Sequence, residues 1–202
     1  MSLTLYGGAR SRASMPRWYL EEKGIPYTWH QLAMDTGEHR QSDFLAINPF
    51  GKVPALVDRQ VQAPGGGPLT LFESGAILLY LADGYGQEFT GSASEAAAKR
   101  ALAAQWILFA NATLAMGVFV PANREKEFAR LMDVLNHQLA DGRSLLGGEP
   151  GSWSVADCAV QAYLAYIPIF FPEIDLTPYP QVQATIAATR QRPAYRKVMG
   201  LT

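Results

Sequence analysis

Cysteine is nearly absent from this chain. Cys158 is the single one among 202 residues, which excludes an internal disulfide and a CxxC redox pair and fits a reducing compartment. An excess of charge of one sign is missing too. Seventeen Lys and Arg against 18 Asp and Glu leave a formal net charge of -1, so the basic surface of a nucleic-acid binder is not expected. The first residues lack the basic-then-apolar pattern of an export signal, and a cytoplasmic protein is the expectation. There is no internal repeat and no low-complexity tract. What the chain does have is apolar content, 49% of residues, enough to bury a core in one large domain or two small ones.

From Ala101 to Ala122 no residue is charged, and that length would span a bilayer. Gln105, Asn111, Thr113 and Pro121 interrupt it, however, and its alanines keep it only mildly hydrophobic. A second uncharged stretch, Cys158 to Pro172, is shorter and is broken by Pro168. Both read as helices buried inside a helical domain, and no membrane association is expected.

Element types alternate in the first half. Leu3–Tyr6 predicts a strand ended by Gly7-Gly8, and Trp18–Lys23 a helix stopped by Gly24 and Pro26. Tyr27–Leu32 predicts a second strand, and Ser42–Leu45 a short helix. Pro54–Val57 and Leu69–Phe72 are two further strands around the breaker-rich loop Ala63–Pro68, followed by a helix from Ser74 to Asp83. The order βαβ then ββα predicts an α/β domain of thioredoxin type over residues 1–84. A linker at about 85–92 leads into an all-helical domain over 93–202. Its expected helices are Ser94–Val120, Glu125–Leu146, Ser154–Tyr166, Pro180–Thr189 and Ala194–Met199. The third opens on a capping-box variant, Ser154-Val155-Ala156-Asp157, with Trp153 and Cys158 at hydrophobic-staple spacing. Its expected role is structural.

Two motifs carry chemistry. In Asn48-Pro49-Phe50-Gly51-Lys52-Val53-Pro54 a proline follows a turn and precedes a strand, a common setting for a cis X–Pro bond. A cis bond there would turn the Val53 N–H and C=O away from their own sheet and toward the backbone of an extended ligand. The alternative is a proline that merely starts an edge strand. In Phe72-Glu73-Ser74-Gly75, Ser74 is a good N-cap, so the N–H groups after it form an anion site, while Glu73 could accept from a ligand ammonium. The alternative is a plain cap beside a solvated charge. Taken together, the two motifs would hold both ends of a γ-glutamyl peptide.

These residues resemble the glutathione site of the cytosolic glutathione S-transferases. The likeness covers the whole chain, including the strand order, the linker, the helical second half and the Ser154–Asp157 box. It implies glutathione as co-substrate, with Val53 on its cysteinyl backbone, Pro54 cis, and Glu73 and Ser74 on its γ-glutamyl end. Gly37-Glu38-His39 resembles the theta-like segment that sends a histidine to the glycine carboxylate, which Lys52 would complement. No metal is implied. A homodimer is.

Transfer needs a thiolate, and a free thiol with a pKa of about 8.5 is mostly protonated at neutral pH. A hydroxyl donor, a helix N-terminus and a guanidinium each favour the charged form. Ser11 is the leading candidate for stabilising the thiolate, with Arg10 and Arg12 assisting, although Ser11 also fits a simple N-cap. Tyr6 is a rival, standing where the alpha, mu and pi classes place a catalytic tyrosine. The segment Gly8–Ser14 is similar to the beta class, which has cysteine where Arg10 stands, and this argues against mixed-disulfide chemistry of the glutaredoxin or omega kind. Pro16 would sit too deep in a helix capped by Ser11, so a helix starting nearer Ser14 is expected. Beta, theta and zeta signatures are each partly matched, and a class such as chi is the expectation.

A second substrate is expected between the domains, against Phe109, Thr113, Met116 and Phe119, a stripe that also fits plain core packing. The resemblance thus implies a glutathione S-transferase of bacterial type with a role in detoxification, directing the thiolate at small hydrophobic electrophiles. Two alternatives stand beside it: a glutathione-dependent isomerase or dehalogenase, and a non-catalytic regulatory or partner-binding protein of the same fold.

Overall fold

The structure, a computed structural model, describes residues 2–8 and 11–201. Two units divide the chain, residues 1–86 and 87–202.

The first unit runs β1 (Leu3–Gly7), α1 (Ser14–Glu22), β2 (Thr28–Gln31), a 3-10 turn (Glu38–Arg40), α2 (Ser42–Leu45), β3 (Ala55–Gln62), β4 (Pro68–Phe72) and α3 (Ser74–Gly84). Its sheet has the order β2-β1-β3-β4. Leu5 pairs in parallel with Trp29 of β2 and antiparallel with Leu56 of β3, and Leu56 in turn pairs with Leu71 of β4. Alternate residues of β1, Leu3 and Leu5, are fully buried, as are Trp18, Tyr19 and Leu20 of α1 and Ile77, Leu78 and Leu81 of α3. The thioredoxin-like arrangement expected from the element order is the one found.

Helix α1 starts at Ser14, which leaves Ser11 on the preceding loop. Pro16 is the third helical residue, where an N–H has no intrahelical partner to lose. The first full helical bond is donated one residue later, from the Arg17 N–H to the Ala13 carbonyl. Strand β3 extends five residues past the predicted Val57. It carries Asp58 with it, a fully buried carboxylate that accepts from the Tyr80 hydroxyl at 2.6 Å, the Tyr85 hydroxyl and the Gln60 N–H at 2.8 Å. Burial pushes the Asp58 pKa up, but these donors outweigh it and hold the group below the ordinary carboxylate range.

The second unit is helical: α4 (Ala93–Leu108), a π-helical segment (Phe109–Leu114), α5 (Ala115–Phe119), α6 (Pro121–Gln138), α7 (Val155–Phe170), α8 (Pro180–Gln191) and α9 (Pro193–Met199). The single long helix expected over Ser94–Val120 is therefore wrong in detail. Its regular winding is interrupted at Asn111, whose side-chain amide donates to the Ile107 carbonyl at 3.0 Å while its oxygen accepts from the Tyr163 hydroxyl at 3.0 Å. A side chain that takes an i-4 carbonyl competes with the backbone ladder. By length and composition alone the run Ala93–Phe119 could cross a membrane. Its Ala103, Ile107, Ala110, Leu114 and Val118 are buried within the helical unit, where α4 packs on α7.

The second expected helix, Glu125–Leu146, is displaced: Pro121 opens α6 and Gln138 closes it. Helix α7 runs four residues beyond the expected Tyr166, through Pro168, and is buried along almost its whole length. Asp157 anchors its start, accepting from the Ser154 N–H (2.9 Å), the Ser154 and Ser144 hydroxyls (2.6 and 2.5 Å) and the Leu145 N–H (3.1 Å). Burial raises the Asp157 pKa above the usual range despite those donors. Cys158, beside it, is fully buried.

Candidate active site

The turn between α2 and β3 is built by one side chain. Asn48, only 2% exposed, donates its amide to the Lys52 carbonyl at 2.6 Å and accepts the Phe50 N–H at 3.1 Å. Within that turn Gly51 has φ +58, and a Cβ there would lie 2.9 Å from the His39 carbonyl oxygen. Glycine is thus needed twice over, for the left-handed backbone and for the close approach of the His39 segment. The turn delivers Val53 to the strand with a cis Val53–Pro54 bond, as the sequence suggested. Val53 lies two residues before the start of β3, and among the described residues its N–H and C=O find no hydrogen-bonding partner. That leaves a donor and an acceptor for an added strand.

Across from it begins α3. The expected cap is corrected here: the N-cap is Glu73, with φ +69 and ψ 118, and Ser74 is the first helical residue, 2% exposed. A non-glycine residue held in that region is the kind of backbone strain that concentrates at binding sites. Helix starts leave N–H groups without intrahelical acceptors, so this end suits a ligand carboxylate.

Val53, Pro54, Glu73 and Ser74 line one cleft of about 1060 Å³, together with Lys52, His39 and Arg12. Phe72, which opens the Glu73-Ser74 motif, lines it too, as do Arg40 and Met34, which were not singled out in the sequence. Arg40 could have been noticed as the neighbour of His39, whereas Met34 carries no local signal. The cations Arg12, Arg40 and Lys52 face one carboxylate, Glu73, which favours a ligand with net negative charge. His39 comes from the 3-10 turn, and its Nδ1 is buried with no hydrogen-bonding partner. Glu38 braces that turn by accepting the Ala33 N–H at 2.7 Å and lying 3.5 Å from His30 Nε2. The Ala33 N–H, with His30, holds Glu38 below the usual carboxylate range.

The activating candidates are placed less uniformly. Ser11 Oγ donates to the Gly8 carbonyl at 2.8 Å and accepts the Gly8 and Ala13 N–H groups at 3.3 Å each, so its proton is already engaged in the loop. Tyr6 stacks on His30 and Phe44, with ring centroids 4.9 and 5.9 Å apart, beside an apolar cluster of Leu32, Phe44 and Ala55. Arg12 is exposed and lines the cleft. Arg10 lies outside the described residues. Of the second-substrate candidates, Phe109 and Thr113 fall in the π-helical segment and Met116 in α5, with Thr113 and Met116 exposed.

Comparison with known proteins follows the same lines. Residues 1–83 match the family model of the glutathione S-transferase N-terminal domain. YfcG of Escherichia coli, a disulfide-bond oxidoreductase, is 35% identical over 195 residues, covering 87% of this chain and 84% of the relative. GstB, a glutathione S-transferase of the same bacterium, is 33% identical over 197 residues, covering 89% and 88%. A glutathione transferase of Burkholderia graminis, solved with two glutathione molecules per subunit, aligns at TM-score 0.74 and 30% identity, covering 98% of this chain and 87% of that one. One from Pseudomonas putida, with one glutathione disulfide per subunit, gives 0.75 and 27%, covering 98% and 90%. Since these relatives match the helical unit as well as the cleft-bearing one, the chain belongs to the glutathione S-transferase family.

Proposed function

We propose that the chain binds glutathione extended along the cleft of the first unit and uses it as a thiolate nucleophile. The observation that carries this reading is the unpartnered Val53 backbone set opposite the start of α3. The cysteinyl amide of the ligand would pair with Val53, and its γ-glutamyl end would meet Glu73 and Ser74. Its glycine carboxylate would meet Lys52 and His39. In the transferase reaction the thiolate sulfur forms a bond to an electrophilic carbon, and the leaving group departs with the bonding electron pair. Phe109, Thr113 and Met116 are the proposed contacts for the apolar part of that electrophile.

For the thiolate, Arg12 offers a cation in the cleft, and Ser11 offers a hydroxyl only if it turns from the Gly8 carbonyl. The pH profile of kcat/KM in Ser11→Ala, Arg12→Ala and Tyr6→Phe variants separates them. An unchanged profile in the Ser11 variant sinks that assignment.

A second reading has its own support. YfcG is named a disulfide-bond oxidoreductase, and the Pseudomonas putida structure holds glutathione disulfide. The chain's one cysteine is buried in α7, so the attacking thiols would both come from glutathione. One glutathione thiolate attacks a disulfide, forming a mixed disulfide and releasing a thiol. A second then attacks the mixed disulfide, releasing the other thiol and glutathione disulfide. The test is a panel of aryl halides, isothiocyanates and epoxides run beside 2-hydroxyethyl disulfide, the latter coupled to glutathione reductase. Conjugates from the panel support transfer, turnover of the disulfide alone supports reduction, and neither outcome with retained glutathione binding overturns both.

A further inference from the structure

The helical unit has a pocket of its own, of about 400 Å³, bounded by the loop after α6, the start of α7 and one face of α8. Its walls are held in place. The Gly151 N–H donates to the Gly142 carbonyl at 2.8 Å, and the Ser144 N–H to Ser152 Oγ at 3.2 Å. The same loop is tied to α7 through Ser144 and Leu145 on Asp157.

Gln161 is the informative lining residue. Its carbonyl oxygen accepts the Trp153 indole N–H at 3.1 Å and the Thr189 hydroxyl at 3.2 Å. An indole N–H can only donate, so this contact fixes which end of the Gln161 amide faces it. The two amide N–H groups are therefore at the other end, and among the described residues no acceptor for them is found. Arg192 lies over the Trp153 ring at 5.0 Å, and Arg143, with its side chain 55% exposed, stands on the opposite loop. Both line the pocket.

The acidic groups limit the charge that fits. Asp141 lies 3.5 Å from Arg143 Nε, and Asp157, also in the lining, keeps its oxygens occupied by serine and backbone donors. Two guanidiniums against at least one carboxylate suit a monoanion better than a phosphate dianion. Leu139, Ala184 and Ala188 add apolar wall that an inorganic ion would leave uncovered.

We propose that this pocket binds a small organic monoanion through its carboxylate, with the Gln161 amide, Arg192 and Arg143 as donors. The test uses benzoate against the full chain, followed by the NMR resonances of the Trp153 indole N–H and the Gln161 side-chain amide. Saturable shifts are expected at concentrations up to about 10 mM. Gln161→Glu keeps an acceptor for Trp153 and Thr189 but replaces the donors with an anionic oxygen, and it is expected to weaken benzoate at least about ten-fold. Arg143→Gln, at an exposed position, is expected to weaken it several-fold and decides the matter if Gln161→Glu does not fold. The proposal is overturned by an absence of shifts in the parent protein, or by benzoate affinity in both variants equal to that of the parent. It is also overturned if inorganic phosphate produces the same shifts at lower concentration, which is the mark of an adventitious ion only.

Discussion

Asn48 is where the cleft is most exposed to a single change. Its one amide group spans the turn, with a donor on the Lys52 carbonyl at 2.6 Å and an acceptor for the Phe50 N–H at 3.1 Å. Replacing it with alanine removes both bonds. A typical hydrogen bond contributes about 1 kcal/mol net, and a group left desolvated costs about 1–3 kcal/mol. Phe50 is 67% exposed, so its N–H can be rehydrated, whereas the Asn48 side chain leaves a buried gap. The sum is about 2 kcal/mol, which for a chain of this length lowers Tm by about 4–8 °C. Val53 hangs on the same turn, so glutathione affinity is expected to fall about ten-fold, or about 1.4 kcal/mol. Calorimetric titration with glutathione and thermal unfolding read the two effects separately. Asn48→Asp sharpens the case, since it keeps the acceptor for Phe50 and sets a carboxylate oxygen against the Lys52 carbonyl. It is expected to be at least as damaging as alanine. If glutathione binds either variant as tightly as the parent protein, the argument that this turn positions Val53 is refuted.

Three further outcomes follow from the same geometry. Gly51→Ala combines a left-handed φ with a Cβ placed 2.9 Å from the His39 carbonyl, and is expected to cost about 1–3 kcal/mol and weaken glutathione binding; denaturant unfolding and titration check it. Asp157 has a raised folded pKa, so the folded state holds its proton more tightly than the unfolded one. Its contribution is fully present below the unfolded value of about 3.9 and is lost as pH rises through the folded value. Tm measured from pH 4 upward should show this slope in the parent protein and not in Asp157→Asn. Asp58 is shifted the other way, stabilising above the unfolded value and losing that contribution as pH falls through the folded one. Tyr80→Phe should therefore cost more stability at pH 7 than at a pH low enough to protonate Asp58 in the folded state, by about 1–2 kcal/mol in a denaturation series.

The first unit was legible in the sequence because its signals are local. Gly7-Gly8, Gly24 with Pro26, and Pro64–Pro68 punctuate the strands and α1, and Val53-Pro54 with Glu73-Ser74 marks both sides of the cleft. What escaped depends on contacts far along the chain. Asp58 extends β3 because Tyr80 and Tyr85 come back to meet it. Asn111 looked like a polar interruption, but its partner is Tyr163, more than fifty residues away. The length of the second helix was misread because Val134, Leu139 and Leu145-Leu146 continue an apolar pattern across the turn at Asp141-Gly142. The capping position at α3 was off by one residue, because serine is the better N-cap in isolation and nothing local marks Glu73 as left-handed.

The π-helical segment at Phe109–Leu114 bears on how this chain can change length. A wider turn takes up about one residue more than a regular helix of the same rise, so the helical phase on either side is kept only because the surplus is absorbed there. Ala103, Ile107, Ala110, Leu114 and Val118 stay buried through it, while Phe109 is half-buried and Thr113 and Met116 are exposed. Losing one residue from this segment would leave Phe119 among Tyr163, Tyr166, Phe170 and Phe171, where its ring now sits. The same loss from within α4 would turn everything after it by about 100°. The run from Ala93 to Phe119 thus has a place where its length can be trimmed without disturbing the aromatic cluster at its end.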